Sequence, residues 1–216
     1  MIIGVINTKG GSAKTTTSTN LAVAFAHKGY QVCLLDTDEG QESTRMWVEN
    51  RDEALPKIRV EVVLPKFLAT TAKALEQEGY LVIVDSAPKL SDLANLIIVS
   101  SDILIIPVQP TYYDFRGFEN FLENFRAFKG AKEASGGKVV PGVLLTRTRP
   151  KTLMLESIKE ALSNYEVPIF NTEIVEREAY KATASMGLGV VEYSDKKAKA
   201  ETLKLTEEVE SLIENF

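Results

Sequence analysis

Short runs of branched apolar residues recur along the chain, and longer segments of helical periodicity separate them. The runs are 1–7 (MIIGVIN), 30–38 (YQVCLLDTD), 80–87 (YLVIVDSA), 102–110 (DILIIPVQP) and 139–147 (VVPGVLLTR). None alternates cleanly between apolar and polar, so each reads as a strand covered on both faces. A shorter run, 167–170 (VPIF), reads as a sixth strand. Between them, 15–29, 65–79, 114–130 and 152–165 carry apolar residues at three- and four-residue spacing, several closed by glycine. This order predicts βαβ units with right-handed crossovers: an α/β fold, a mainly parallel twisted sheet with helices on both faces. With 216 residues and no linker, repeat or low-complexity tract, one domain over 1–216 is expected.

Composition narrows the function classes. No apolar run reaches the ~18 residues of a membrane span, and the N-terminus enters a strand without the basic region of a secretory signal, so a cytoplasmic protein is expected. The single Cys33 can form neither an internal disulfide nor a multi-thiolate metal site. The lone His27, near a helix end, reads as a solvated or capping residue. A net charge of -5 argues against wholesale nucleic-acid binding but leaves room for a local basic patch.

In such a sheet, ligands bind at the carboxyl ends of the strands. After the first run comes INTKGGSAKTTT (6–17). Gly10 and Gly11 let the backbone wrap, and Lys14 and Thr15 open a helix, so N–H groups and the positive helix end surround a phosphate. Lys14 would reach the phosphates and the Thr15 hydroxyl would ligate Mg2+. The plain alternative is a glycine turn before a capped helix with Lys14 in solvent. Ala13 stands where the ordinary phosphate loop has glycine, and a second lysine, Lys9, precedes the glycine pair.

KGGSAKT at 9–15 matches the deviant Walker A pattern K-G-G-x-x-K-[ST], and the chain resembles the ParA/MinD family of P-loop NTPase type. The resemblance implies that Lys9 reaches across a dimer interface to the partner's nucleotide. It makes Lys9, Gly10, Gly11, Ser12, Ala13, Lys14, Thr15 and Thr16 nucleotide-binding, with ATP and Mg2+ as the cofactors. LLDTDEGQ (34–41) is similar to the family's D-x-D-P-Q motif, its proline replaced by Glu39-Gly40 ahead of Gln41. By analogy Asp36 supports the metal and Asp38 orients the attacking water. Their alternation in an extended segment is expected to point them to opposite sides. By the same resemblance Asp85, in VIVDSAP (82–88), takes the Walker B position and is expected to hold Mg2+ through water. The catalytic set is then Lys9, Lys14 and Asp38, and the metal set Thr15, Asp36 and Asp85. LLTRTRP (144–150) stands where the family contacts adenine, with Thr146 and Arg147 the candidates, and 105–117 resembles the segment lining the dimer interface.

The likeness extends through GLGVVEY (187–193) and the last helix, in the compact form of the ParF-like partition ATPases or the McdA carboxysome-positioning branch. One cysteine within an apolar run argues against an iron–sulfur relative. A glutamate-rich 201–216 with only Lys204 as a basic residue argues against a lipid-binding tail of the MinD kind. The family implies a homodimer in the ATP state, nonspecific DNA as a partner without membrane, a cargo-bound ParB-like or McdB-like adaptor that stimulates slow hydrolysis, and nucleoid association. Lys181, Lys196, Lys197 and Lys199, with Arg177 and Arg149 beside them, are the candidate DNA contacts; a solvated helix face is the alternative. Lys151 stays open between that patch and the interface. A dethiobiotin-synthetase-like ligase and a MinD-like spatial regulator are the competing functions.

Overall fold

The computed structural model describes residues 1–38, 40, 43–88 and 91–216. In chain order the elements are β1 (Ile2–Val5), α1 (Lys14–His27), β2 (Val32–Asp36), α2 (Ser43–Glu49), β3 (Arg59–Val62), α3 (Leu68–Gln77), β4 (Leu81–Asp85), α4 (Ser91–Ser100), β5 (Ile103–Val108), α5 (Tyr112–Ala134), β6 (Val140–Thr148), α6 (Leu153–Ser163), β7 (Ile174–Val175), α7 (Glu178–Ser185) and α8 (Lys196–Glu214). The seven strands form one sheet in the order β3-β2-β4-β1-β5-β6-β7, and every pair runs parallel.

The missing alternation in the apolar runs has a direct cause. Successive residues of one strand enter different cores, because a pleated strand turns neighbours to opposite faces. Ile2, Ile6, Leu35 and Val84 pack with α3, α4, α5 and α6 on one side, while Ile3, Val5, Leu34 and Ile83 pack with α1 and α8 on the other. Both faces are dry, so both positions are apolar.

Local sequence departs from expectation at 167–170 and in α5. The run at 167–170 makes only a single parallel bridge, Val143 to Ile169, since Pro168 has no N–H to extend a ladder, and β7 takes up the pairing instead. Gly130 does not end its helix: α5 starts earlier, capped by the Thr111 hydroxyl on the Asp114 N–H, and continues past the glycine to Ala134. By contrast Gly29 and Gly79 take the left-handed conformation just beyond α1 and α3.

The order of strands puts β1 between β4 and β5, with β2 beyond β4. The carboxyl ends of β1, β2 and β4 therefore lie side by side, with Val5 in register with Asp85 and Asp85 with Asp36. The loop from β1 into α1 rises between them.

Candidate functional site

The loop is built by contacts that fix its peptide planes. Buried Asn7 donates to the Pro107 carbonyl at 2.6 Å and accepts from the Lys9 N–H at 2.9 Å, so the chain leaves β1 tied to β5. Both the Ser12 hydroxyl and the Lys14 ammonium donate to the Lys9 carbonyl, at 3.2 and 2.9 Å. Gly11 has φ +77 and Ala13 φ +69. Alanine thus adopts the left-handed conformation that a glycine would take without strain, a cost of roughly 1–2 kcal/mol. The backbone N–H groups from Gly10 to Thr16 find no acceptor among the described residues. They are the orphan donors of a helix start and its preceding turn, the arrangement that suits an anion.

Helix α1 is buried along nearly its whole length, including its polar first turns. Thr17, Thr19 and Asn20 return their side-chain donors to carbonyls four residues back, at 2.8 Å each, which satisfies them without water. Thr15 and Ser18 instead reach the sheet. The Thr15 hydroxyl donates to Asp85 Oδ2 at 2.6 Å and that of Ser18 lies 3.1 Å from Asp85 Oδ1.

Burial is the main reason that the Asp85 carboxyl is pushed up to about 7; the Thr15 hydrogen bond offsets part of this and the nearby Asp36 adds to it. Burial also raises Asp36, whose carboxylate accepts from Thr44 on α2 and, at 2.9 Å, from the Asp38 N–H. Lys14 is 6% exposed, and burial lowers its pKa against the pull of Asp85 and Asp38. Two crowded carboxyls and a desolvated ammonium await opposite charges.

These groups surround a cavity of about 250 Å3 lined by Gly10 to Thr16, Asp36, Asp38, Asp85, Ser86, Pro88 and Arg147. Asp36 and Asp38 line the same cavity, which corrects the expectation of opposite sides: positions two apart on a pleat share a face. Glu39 and Gln41 lie outside the described residues. Arg147 reaches the cavity with a left-handed φ of +49, and Lys151, just beyond β6, has φ +64. Thr146 sits differently. It is fully buried and its hydroxyl donates to the Ser12 carbonyl at 3.3 Å, so it supports the loop from beneath. Lys9 points away from the cavity to Asp114 on α5, 2.5 Å distant.

The structure also brings in residues that the sequence did not single out. Ser18 shares Asp85, and Thr37 binds the Asp85 carbonyl at 2.9 Å while accepting from the Ala87 N–H, stitching β2 to β4. Hydroxyls one helical turn or one residue from a motif carry no signal of their own. Mg2+ suits the donor set, since it takes oxygen from one or two carboxylates and completes its shell with phosphate and water. Among the described residues no three His, Cys, Asp or Glu side chains form a ready metal cage. A second cleft, about 540 Å3, lies elsewhere along α8, and its Glu201 and Glu208 are already engaged by Arg177 and by the Asn171 and Thr172 N–H groups.

The remaining candidates are dispersed. Lys196, Lys197 and Lys199 are exposed on the first turns of α8. Lys181 pairs with Glu178, Arg177 with Glu201 and Arg149 with Glu176, so these three cations are already partly neutralised. His27 meets Glu192 at 2.7 Å, and burial pushes the Cys33 thiol up to about 12, which leaves it inert.

The family described as the CobQ/CobB/MinD/ParA nucleotide-binding domain matches residues 3–190. The chain belongs to this family. Among its relatives, the maintenance of carboxysome distribution protein A of Gloeobacter kilaueensis is 30% identical over 201 residues, covering 92% of this chain and 87% of the relative. The chromosome-partitioning ATPase Soj of Thermus thermophilus is 25% identical over 236 residues, covering 96% and 94%. The structure of the MinD cell division protein of Aquifex aeolicus superposes with a TM-score of 0.80 over 97% of this chain and 96% of that one, at 16% identity, and so shares the fold. Among the described residues no helix is long and apolar enough to cross a membrane.

Proposed function

We propose that the chain is a Mg2+-dependent ATP hydrolase that dimerises on ATP and positions or segregates a cargo. One observation carries the reading: the Thr15 hydroxyl rests on Asp85 at the edge of a cavity walled by N–H groups without acceptors among the described residues and by the buried Lys14. The loop N–H groups and Lys14 bind the β- and γ-phosphates. Thr15, Asp36 and Asp85 would hold Mg2+, which would supply positive charge against the developing charge of the phosphates. Asp38 orients the water whose oxygen bonds to the γ-phosphorus as the bond to the ADP oxygen breaks. Arg147, and behind it Thr146, close the base side.

Lys9 contributes to the other subunit. Its ion-pair partner Asp114 follows directly on Tyr112 and Tyr113, which are 61% and 77% exposed, and α6 opens with Leu153 and Met154, 88% and 50% exposed. β5 and β6 are neighbours, so these apolar side chains crown the same edge of the sheet as the cavity and suit burial against a second copy. The relatives' roles in chromosome partition and carboxysome distribution favour a cargo function, with nonspecific DNA, contacted by Lys196, Lys197 and Lys199, and a cargo-bound adaptor that stimulates hydrolysis. Such a protein works in the cytoplasm on the nucleoid. The test is Mg-ATP binding and turnover by native chain and Lys14→Ala, with mass measured by light scattering. Native chain should bind, hydrolyse below the usual ~1–1,000 per second and dimerise with ATP, and Lys14→Ala should do none of these. Equal affinity in the two would remove the phosphate-loop assignment.

A further inference from the structure

Between the end of β5 and the start of α5, one short segment grips the phosphate loop at two points. Asp114 takes Lys9, and the Gln109 side-chain amide donates to the Gly11 carbonyl at 2.5 Å. The second contact decides how the loop presents itself. In a trans peptide the C=O and the following N–H point in opposite directions. Gln109 is not among the residues lining the cavity, so a Gly11 carbonyl anchored on it points outward and the Ser12 N–H points inward. That N–H finds no acceptor among the described residues. Gly11 holds this orientation in the left-handed region, and the space beside its Cα is open within 4 Å, so conformation and not crowding demands the glycine there. Thr146 repeats the device one peptide on, taking the Ser12 carbonyl from β6.

We propose that Gln109 is a positioning residue for phosphate binding, holding the Gly11–Ser12 peptide so that the Ser12 N–H is aimed at the nucleotide before it arrives. This rests on the nucleotide reading above. A donor fixed in advance avoids the cost of turning a peptide during binding.

Gln109→Met keeps the length and removes the donor, and Gln109→Glu keeps the shape while setting an acceptor against the carbonyl. Mg-ADP affinity is measured by calorimetry, and the Ser12 amide is followed by 15N-resolved NMR. A well-placed donor to a charged group is worth roughly tenfold in affinity or more. Both variants should lose about that much, the Glu variant no less than the Met variant. The downfield displacement of the Ser12 amide on binding should shrink in both, and the thermal midpoint without nucleotide should stay native. Native affinity in the Met variant overturns the proposal, as does weakened affinity with a native Ser12 displacement. A loss that follows a lowered thermal midpoint makes Gln109 a structural link only. If the Met variant does not fold, the Glu variant is judged by the same readings. If native chain itself does not bind Mg-ADP, the nucleotide reading falls together with the proposal, whereas a failure confined to the variants' readings removes Gln109 alone.

Discussion

The Lys9 ammonium lies 2.5 Å from the Asp114 carboxylate, a pair between a lysine side chain that is 39% exposed and a carboxylate that is 3% exposed. Within one chain, then, the lysine proposed to serve the partner's nucleotide is parked on its own α5. Asp114 has little else: Thr111 meets its Oδ2, and its Oδ1 finds no partner among the described residues.

Removing Lys9 should accordingly do two separable things. Lys9→Ala strands a buried carboxylate, so the nucleotide-free chain should lose about 1–3 kcal/mol, read by urea unfolding. The same variant should still bind Mg-ADP, because Lys9 does not line the cavity, but should fail to dimerise and hydrolyse with ATP. Native stability would show that the pair is an inconsequential surface contact, and native turnover would take the trans role away from Lys9.

Asp38 faces the cavity with its carboxylate held only by the Gly40 N–H, at 3.3 Å, among the described residues. Asp36 is buried and spent on Thr44 and the loop, and Asp85 on Thr15 and Ser18. Asp38 is therefore the carboxylate with capacity left for water. Asp38→Ala should bind Mg-ATP within a few-fold of native and hydrolyse it about 100-fold more slowly or worse, so that the ATP dimer accumulates on size exclusion. Unchanged turnover would reassign the water.

The lysines at the start of α8 sit against the helix dipole. Lys196 and Lys197 occupy the first helical positions behind the Asp195 cap, where cations are disfavoured by about 0.3–1 kcal/mol each. Replacing both by glutamate should raise the thermal midpoint slightly while weakening the ATP dimer's binding to unrelated duplexes equally. The log–log salt slope should become shallower by about 0.9 for each phosphate that the variant no longer neutralises. Should the double variant bind duplex DNA as tightly as native, other residues meet the phosphates.

Much of this site was legible because its chemistry is local. The spacing from Lys9 to Thr15 fixes a loop and a helix start in one stretch, and Asp36 and Asp85 follow apolar runs that ended where the strands end. Its supports were not legible. Gln109, Thr146 and Asp114 reach the loop from about a hundred residues away in sequence, and nothing near them marks a polar side chain as an anchor for another segment's carbonyl. The same limit applies to the fold. The paired inner strands announce themselves because both faces are apolar, whereas β3 is an edge strand with charged Arg59 and Glu61 and no buried position. Helix α4 carries its apolar residues almost up to β5, so no helical period set it apart ahead of that strand. Ala13 departs from the ordinary loop in identity alone, since what the loop requires is a positive φ, and alanine bears it at modest cost.

Glu192 joins the ends of α1 and α2 and gives the chain a defined acid sensitivity. Its side chain is 4% exposed and accepts from Arg51 at 2.9 and 2.7 Å, from the Gly189 N–H at 3.0 Å and from His27. Gly187, at φ +67 with Asn50 and Arg51 backbone atoms where a Cβ would stand, lets the loop come this close. Burial alone would raise the Glu192 pKa, but the Arg51 hydrogen bonds and the Gly189 N–H outweigh it and hold the carboxyl below its ordinary value. Because the folded pKa is the lower one, the unfolded chain binds the proton more readily, and the stabilisation is fully present above the ordinary glutamate pKa of about 4.3. It is lost as pH falls from there through the folded value. Glu192→Gln retains the shape but leaves the Arg51 guanidinium, 5% exposed, without its counter-charge, so at pH 7 the variant should be about 3 kcal/mol less stable. Urea unfolding from pH 7 down to pH 3 should show the two chains converging below about pH 4. Parallel curves over that whole range would mean that the carboxylate charge does not hold this corner together.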